Sequence, residues 1–417
     1  MEVFKFGGAS VKDAEGVRNF LSTLQSLETK DVLIVISAMG KMTNAFESIV
    51  SIYFNDKDKA KEKLESAKLF HVKILEELEF SKTHAVFGEI NDLFGEIEHF
   101  MAFNNSTDYD YVYDQIVGNG EFLSTKICSA FLKENDLDNR WLDVRSCVKT
   151  NSDFRRAKVD WETTCTLIND IVPRTGITIT QGFLGSDNYG RTTTLGREGS
   201  DYTAGIFAAC LDAKEVSIFK DVPGVLNADP REFDQTHLIE KMSYKEAIEM
   251  AFYGASVIHP KTLQPLQRND IPLKVRSFLN PVLTGTLIYN GADMVPRIPC
   301  FIVKKNQILI SVSDREFHFV MEEDISEIFA LLHQFKMKVN LIQNSALSFS
   351  VCIENNFDNF NALLEALEPK YKVKYNEGLT LYTIRHFEER DIKGIELNRE
   401  VLLKQRSREA VQVIVKN

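Results

Sequence analysis

The sequence lacks several features, and each shortage argues against a class of protein. Apolar runs such as VLIVISAM are far too short for a membrane span, which needs about 20 residues. There is no dense Lys and Arg cluster, and the net charge of -11 disfavours a nucleic-acid-binding protein. The N-terminus also has no apolar signal core. We therefore expect a cytoplasmic protein with no membrane span and no nucleic-acid partner.

Cysteine and histidine are sparse and dispersed. None of the six cysteines stands in a CxxC pair, and the eight histidines are equally scattered. This distribution argues against a structural zinc site, a disulfide framework and a metal held by protein side chains. The expected state of the cysteines is reduced and mostly buried.

The pattern that is present predicts an α/β protein. Short apolar runs alternate with helical patterns over the first half of the chain, which favours a mainly parallel sheet covered by helices. A charged, amphipathic stretch predicts a helical insertion at about 45–110, within a domain that covers 1–290.

A second domain is predicted after the Gly- and Pro-punctuated stretch between Pro281 and Cys300. Residues 300–376 show the pattern β-α-β-β-α-β, which is typical of a small α+β sandwich. The remaining segment, 377–417, predicts strands with little helix.

Two glycine-containing segments indicate phosphate chemistry. In MEVFKFGGAS, a strand carries Lys5 into a Gly7-Gly8 turn that precedes a helix. In GRTTTLGREGSD, a hydroxyl-rich run carries Arg197 and Asp201. Glycine lets backbone N–H groups approach phosphate oxygens closely, and a following helix terminus adds partial positive charge. Because the lysine precedes the glycines, this is neither a P-loop nor a GxGxxG motif.

Two further segments extend the candidate site. IFKDVPGVLNADPR places Asp221, Asp229 and Arg231 after an apolar strand, where parallel sheets usually bind ligands. GNGEFLST places Glu121 at the start of a helix. Taken alone, IFKDVPGVLNADPR is also compatible with an ordinary acidic loop. Taken alone, GNGEFLST is compatible with a carboxylate that is favourable at the start of any helix.

These segments, together with SAMGKMTN, TQGFLGS and FYGASVIHP, occur in one order along the chain. In this respect the chain closely resembles the aspartate kinases, and the resemblance covers nearly its whole length. It implies an amino-acid kinase fold followed by an ACT-like (ferredoxin-like) regulatory domain at 300–376, with a curtailed second ACT-like segment at 377–417. It also implies transfer of the ATP γ-phosphoryl group to L-aspartate, with Mg²⁺, for lysine, threonine and methionine synthesis.

The resemblance assigns roles to individual residues of this chain. Lys5 and Asp201 are the expected catalytic pair. The implied aspartate-binding residues are Ser37, Thr43, Glu121, Phe183, Arg197 and Ser200. The implied nucleotide-binding residues are Lys5, Gly7, Gly8, Ser10, Lys220, Asp221 and Arg231. No protein ligand to a metal is implied. A carboxylate substrate with a pKa of about 3.9 is already ionised, so no general base is needed.

The chain departs from the family pattern at several positions. Ala9 replaces a threonine, Glu198 a glycine, Lys220 a threonine and Leu226 a tyrosine. Ser256 replaces a lysine that touches ATP phosphate in the family, and either Lys220 or Lys261 could supply the missing charge.

The regulatory segment also departs from the family pattern. Asn340 and Ala346 stand where lysine-sensitive relatives often have carboxylates. The second domain could therefore bind an amino-acid effector, or it could serve only for dimerisation without a ligand. Pairing of sheet edges between such domains favours a homodimer.

Two alternatives to an active aspartate kinase remain. The first is another amino-acid kinase, such as one acting on glutamate, although Glu121 suits a free α-ammonium and argues against an acetylated substrate. The second is a catalytically silent amino-acid-sensing subunit, which Ser256, Ala9 and the short tail would explain.

Overall fold

The computed structural model describes residues 1–28, 30–255, 258–316, 318–355 and 358–416, and the chain forms two compact units. The described part of the first unit consists of residues 1–28, 30–226, 238–251 and 258–296. The described part of the second consists of residues 227–237, 252–255, 297–316, 318–355 and 358–416. Among the described residues, no helix combines the length and the apolar character that a membrane crossing requires.

The first unit contains an eight-stranded sheet and a small hairpin. Its strands are β1 (Glu2–Phe6), β2 (Val32–Ile36), β3 (Arg140–Leu142), β4 (Ile177–Gln181), β5 (Leu184–Ser186), β6 (Thr192–Thr194), β7 (Val216–Lys220), β8 (Lys241–Ser243), β9 (Leu273–Ser277) and β10 (Thr286–Tyr289). The sheet order is β3-β4-β2-β1-β7-β9-β10-β8, and β5 pairs with β6 outside it. All its pairs are parallel except β9 with β10.

The apolar runs read from the sequence are the central strands of this sheet. All five residues of β2 are buried, because helices cover both faces of a central parallel strand. The helices of this unit are α1 (Ala14–Leu27), α2 (Met42–Tyr53), α3 (Lys57–Glu77), α4 (Ala85–Phe103), α5 (Tyr109–Val117), α6 (Asn119–Glu134), α7 (Trp161–Ile171), α8 (Gly199–Leu211), α9 (Tyr244–Tyr253) and α10 (Pro260–Arg268).

Two of these helices are joined by a disulfide. Cys165 on α7 and Cys210 on α8 are bonded, with their α-carbons 4.8 Å apart. The expectation that all cysteines are reduced is therefore wrong for this pair. The two residues are 45 positions apart, so only the packing of α7 against α8 brings them together. The other four cysteines remain thiols and are buried.

The second unit contains a six-stranded antiparallel sheet with the order β12-β13-β11-β14-β16-β15. Its elements are β11 (Cys300–Asp314), α11 (Glu322–Gln334), β12 (Lys338–Asn344), β13 (Phe349–Glu354), α12 (Phe360–Leu367), β14 (Tyr371–Arg385), α13 (Glu389–Glu396), β15 (Glu400–Arg406) and β16 (Ala410–Lys416). The strands β11 and β14 are long, and their pairing shifts register between Lys304 and Leu309.

This register shift separates two halves that share one sheet. In the first half, α11 and α12 pack their apolar faces on the sheet around Ile310, Phe349 and Leu363. In the second half, α13 buries Ile392 and Ile395 against β14 and β16. The tail thus contains a helix where the sequence predicted little. The helix is short, and packing of these two isoleucines supports it more than intrinsic propensity does.

Candidate active site

The candidate site is built around Lys5 at the carboxyl end of β1. This strand lies between β2 and β7, where Lys5 pairs with Val35 on one side and Ile218 on the other. The lysine is almost entirely buried, and its Nζ lies 2.7 Å from Oδ1 of Asp201. The strand thus fixes the backbone of Lys5, and Asp201 fixes the position of its ammonium group.

Asp201 lies in the first turn of α8 and contacts a second ammonium group. Its Oδ2 is 3.8 Å from Nζ of Lys220, the last residue of β7. Burial alone raises the pKa of Asp201, but the charges of Lys5 and Lys220 outweigh burial and hold the pKa below its ordinary value. The carboxylate therefore stays ionised and holds two cations at one end of the sheet.

The Gly7-Gly8 turn brings the loop after β1 against the loop after β2. A β-carbon on Gly8 would lie 2.5 Å from the carbonyl oxygen of Ala38, so only glycine fits there. The Gly8 carbonyl accepts the Gly40 N–H at 2.9 Å, and the Gly7 carbonyl accepts the N–H of Ser10 at 2.9 Å. The turn forms a compact backbone surface beside Lys5.

Glu121 lies in the first turn of α6 and is buried without a charged partner. Its Oε1 accepts one long hydrogen bond, 3.4 Å from Ser200 Oγ, and its Oε2 has no hydrogen-bond partner among the described residues. Burial raises the pKa of Glu121 to about 8, although nearby N–H groups of Ala38 and Gly182 and the Lys5 charge oppose the rise. This carboxylate is suited to receive a cation from a ligand.

Two glycines allow the loop after β4 to touch the start of α8. A β-carbon on Gly182 would lie 2.4 Å from Cβ of Ser200, and one on Gly199 would lie 2.6 Å from the Phe183 ring. Phe183 has a φ of 67° and donates its N–H to Thr203 Oγ1 at 2.9 Å. TQGFLGS and GREGSD contain these two glycines, for which the motifs alone predicted no role.

The remaining substrate-side positions differ in exposure. Ser37 follows β2 and donates its N–H to the Phe6 carbonyl, while Thr43 lies partly exposed in the first turn of α2. Arg197 is exposed in the loop between β6 and α8, and it forms no ion pair with any described residue. Its guanidinium is therefore available to an external carboxylate.

The predicted nucleotide-side residues are not all in one unit. Lys220 and the exposed Asp221 belong to the first unit, at the end of β7. Arg231 belongs to the second unit, where its guanidinium binds Asp229 with Nε at 3.0 Å and Nη2 at 2.6 Å. Ser256 lies outside the described residues. Lys261 is exposed at the start of α10 and lines a separate cavity.

The chain also matches known proteins. The model of the amino acid kinase family matches residues 1–277. The lysine-sensitive aspartokinase 3 of Escherichia coli (strain K12) is 33% identical over 392 residues, which are 92% of this chain and 86% of that protein. The chain belongs to the aspartokinases of the amino acid kinase family.

Solved aspartokinase structures share this fold. Two structures of E. coli aspartokinase III, one in complex with lysine and aspartate in the T-state and one with aspartate and ADP in the R-state, each align with a TM-score of 0.82 and 30% identity. Each alignment covers 100% of this chain and 96% of the other. The predicted family, the predicted fold class and the prediction of a kinase are confirmed.

Proposed function

We propose that this aspartokinase transfers the γ-phosphoryl group of ATP to the side-chain carboxylate of L-aspartate, which yields 4-phospho-L-aspartate and ADP. The observation that supports this most directly is the buried Lys5–Asp201 ion pair, with the second ammonium of Lys220 at the same carboxylate. It lies at the carboxyl end of the central strands, where parallel sheets bind their ligands.

The chemistry requires positioning and charge neutralisation more than proton transfer. A carboxylate oxygen of aspartate attacks the γ-phosphorus, and the bond to the bridging oxygen of the β-phosphate breaks, so that ADP leaves with that electron pair. Both reactants are anions and repel each other, so preorganised cations at the transferring group lower the barrier. Lys5 is proposed to fill this role, with its ammonium held by Asp201.

The substrate's other two charges have complementary groups in the same unit. Glu121 is proposed to bind the α-ammonium, because it is a buried carboxylate with one oxygen that lacks a hydrogen-bond partner in the described chain. Arg197 is proposed to bind the α-carboxylate, a task for which a planar bidentate donor is suited. The proposed remaining contacts come from Ser37, Thr43, Phe183 and Ser200.

The nucleotide is proposed to lie on the glycine turn and the loop after β7, with contacts from Gly7, Gly8, Ser10, Lys220 and Asp221. Arg231 belongs to the second unit, and its role at the nucleotide stays a prediction from the sequence. Lys220, whose ammonium lies 3.8 Å from Asp201, is proposed to supply the charge that the resemblance assigns to a lysine where this chain has Ser256. Mg²⁺, when bound to the phosphates of ATP, neutralises part of their charge. Because Asp201 faces two ammonium groups, we propose no protein carboxylate as its fixed ligand.

A hydroxylamine-trapping assay tests the proposed reaction. Hydroxylamine converts an acyl phosphate into a hydroxamate, so incubation with Mg·ATP and aspartate should yield aspartyl hydroxamate. Parallel incubations contain glutamate or no amino acid. A signal with glutamate that equals or exceeds the aspartate signal would favour the other amino-acid kinase, and no signal above the blank would favour a silent subunit.

The second unit is proposed to be an ACT-like regulatory and dimerisation domain at 300–376, with the curtailed segment at 377–417. Strand β12 is an edge of its sheet and exposes Ile342 and the nearby Leu347, which supports a homodimer through this edge. Sedimentation equilibrium tests this, because Ile342→Lys should shift a dimer towards monomers.

We propose that lysine is not the effector of this unit. Asn340 accepts a hydrogen bond from Lys304 Nζ at 2.7 Å and donates to Gln307 and Glu354 at 2.7 Å and 2.9 Å. Its side chain is thus occupied, and the neighbouring Lys304 and Glu354 form an ion pair at 3.5 Å, so the groups that could bind a cationic ligand here are already engaged. Titration of activity against lysine, threonine and methionine distinguishes a sensor from a ligand-free sandwich.

The chemistry of the product supports a proposal for the pathway and the cellular compartment. An acyl phosphate of aspartate is an activated carboxyl group, and we propose that it enters lysine, threonine and methionine synthesis in the cytoplasm, where ATP is supplied. Detection of the product's reduction by a cytoplasmic extract with a nicotinamide cofactor would test this placement.

A further inference from the structure

A cationic cavity lies in the first unit apart from the candidate active site. Its volume is about 550 Å³, within the range of pockets that hold small organic ligands. Segment 156–161 and the helices α8 and α10 form its walls. Lys5, Glu121, Ser200 and Asp201 are not among its lining residues. The side chains that give the cavity its chemistry are Arg156, Lys158, Trp161, Tyr202, Lys261 and Arg268.

The charge of this cavity is unusual for the chain. Four of its lining residues are cationic and none carries a carboxylate, although the whole chain has a net charge of -11. None of the four cations forms an ion pair with another described residue. Asp160, which directly precedes Trp161, instead caps α7 through the N–H and hydroxyl of Thr163. Four unpaired cations around one cavity attract an anion with several charges.

The cavity also presents two aromatic rings. Trp161 and Tyr202 lie with ring centroids 6.3 Å apart in an edge-to-face arrangement. Arg268 is close enough to Tyr202 for its charge to act on the tyrosine hydroxyl. Aromatic faces beside guanidinium groups bind planar heterocycles by stacking, while the guanidinium groups bind phosphate oxygens.

We propose that this cavity is a second ligand site, distinct from the catalytic nucleotide site, for an aromatic polyanion of nucleotide size. The ring contacts Trp161 and Tyr202, and the phosphates contact the arginines and lysines. Because α8 carries Tyr202 and, in its first turn, Ser200 and Asp201, an occupant would contact the helix that positions the catalytic carboxylate. The proposal does not depend on which amino acid is phosphorylated.

Fluorescence of Trp161 reports on this cavity directly. The chain has two tryptophans, so Trp141→Phe leaves Trp161 as the single tryptophan, and excitation at the red edge of the absorption band avoids the tyrosines. ATP and inorganic tripolyphosphate are the probes, and we expect saturable quenching by ATP at concentrations at least about tenfold lower than by tripolyphosphate, because only ATP has a ring. Equal affinities, or no saturable change with millimolar ATP, would overturn the proposal.

A matched pair of charge variants separates the cavity from the catalytic site. Arg156→Gln/Arg268→Gln should weaken the fluorescence response by about tenfold or more while leaving the steady-state KM for ATP unchanged. Lys61→Ala/Arg408→Ala removes two exposed charges elsewhere and should change neither quantity. An unaltered response in the arginine variant, or a parallel rise in its KM for ATP, would contradict a separate site.

Equilibrium dialysis of the unmodified chain against labelled ATP gives a second measurement that does not depend on Trp141→Phe. The expected stoichiometry is two nucleotides per chain, falling to one in the arginine variant. A single nucleotide per unmodified chain at saturation would refute the second site.

Discussion

The ammonium nitrogen of Lys5 lies 2.7 Å from a carboxylate oxygen of Asp201, and both side chains are almost completely buried. A buried ion pair is costly to assemble because both charges lose water, so it is weak evidence for stability. Here the pair lies where the central strands end and beside the Gly7-Gly8 turn. Its arrangement is better explained by function, since it fixes a cation where a phosphoryl group would be transferred.

Lys220 provides the first test of this arrangement. Because its ammonium is the second cation at Asp201, Lys220→Thr should lower kcat by about tenfold or raise the KM for ATP by a similar factor. Steady-state kinetics with varied ATP would measure both. Lys214→Thr, an exposed lysine just before the same strand, is the control and should behave like the parent. Unchanged kinetics in the Lys220 variant would exclude this residue from the nucleotide site.

Glu121 predicts a pH dependence for aspartate binding. Its pKa of about 8 means that the free enzyme carries a proton on this group at neutral pH, and the aspartate ammonium must displace it. The KM for aspartate should therefore fall as pH rises from about 6 to about 8, by at most about tenfold per pH unit. Glu121→Gln should raise the KM and remove this slope. A KM that is flat with pH in the parent would show that Glu121 does not bind the ammonium.

His71 predicts a loss of stability in acid. It is buried on α3, with Nδ1 2.8 Å from the Ala67 carbonyl oxygen, and burial lowers its pKa from 6.5 to about 4. The unfolded chain therefore binds more protons below about pH 6.5, and the free energy of unfolding falls as pH drops towards 4. At about pH 5 this group accounts for a loss of about 2 kcal/mol.

Urea unfolding at about pH 7.5 and about pH 5 measures this effect of His71. Between these two pH values, the free energy of unfolding of His71→Leu should fall by about 2 kcal/mol less than that of the parent. His99→Leu, which removes an exposed histidine from α4, should lose as much as the parent. Equal losses in all three proteins would mean that His71 is not buried in its neutral form.

The bond between Cys165 and Cys210 predicts a redox-dependent stability. It links residues 45 positions apart and so lowers the conformational entropy of the unfolded chain. In the chain-entropy account this raises the free energy of unfolding by about 3–5 kcal/mol. Reduction should therefore lower the Tm, and Cys165→Ser/Cys210→Ser should have a low Tm that reductant leaves unchanged. Thiol titration in denaturant should find four thiols before reduction and six after it. Six thiols before reduction would contradict the bond.

Much of the architecture could be predicted from the sequence, because local patterns encode it. The apolar run at β2 and the strand that carries Lys5 are buried central strands, and the glycine turn after Lys5 requires glycine where the sequence has it. These features depend on residues that are neighbours in the chain, so periodicity and turn chemistry reveal them.

Features that depend on tertiary packing could not be predicted in this way. The disulfide joins two helices that no local pattern pairs, and nothing in IFKDVPGVL places the Lys220 ammonium beside Asp201. The cationic cavity collects Arg156, Tyr202 and Arg268 from three separate segments. In each case the sequence gives the residue types, and only the fold gives their distances.

The turnover of Lys5→Met with saturating Mg·ATP and aspartate tests the central claim most directly. The variant should still fold, because the substitution keeps an unbranched side chain of similar length in β1 and Lys220 remains beside Asp201, although the loss of one partner of a buried ion pair should lower its Tm. We predict that kcat for aspartate-dependent ADP formation falls by about 10²–10³. A folded variant that turns over at nearly the parent rate would contradict the assignment of phosphoryl transfer to this cleft.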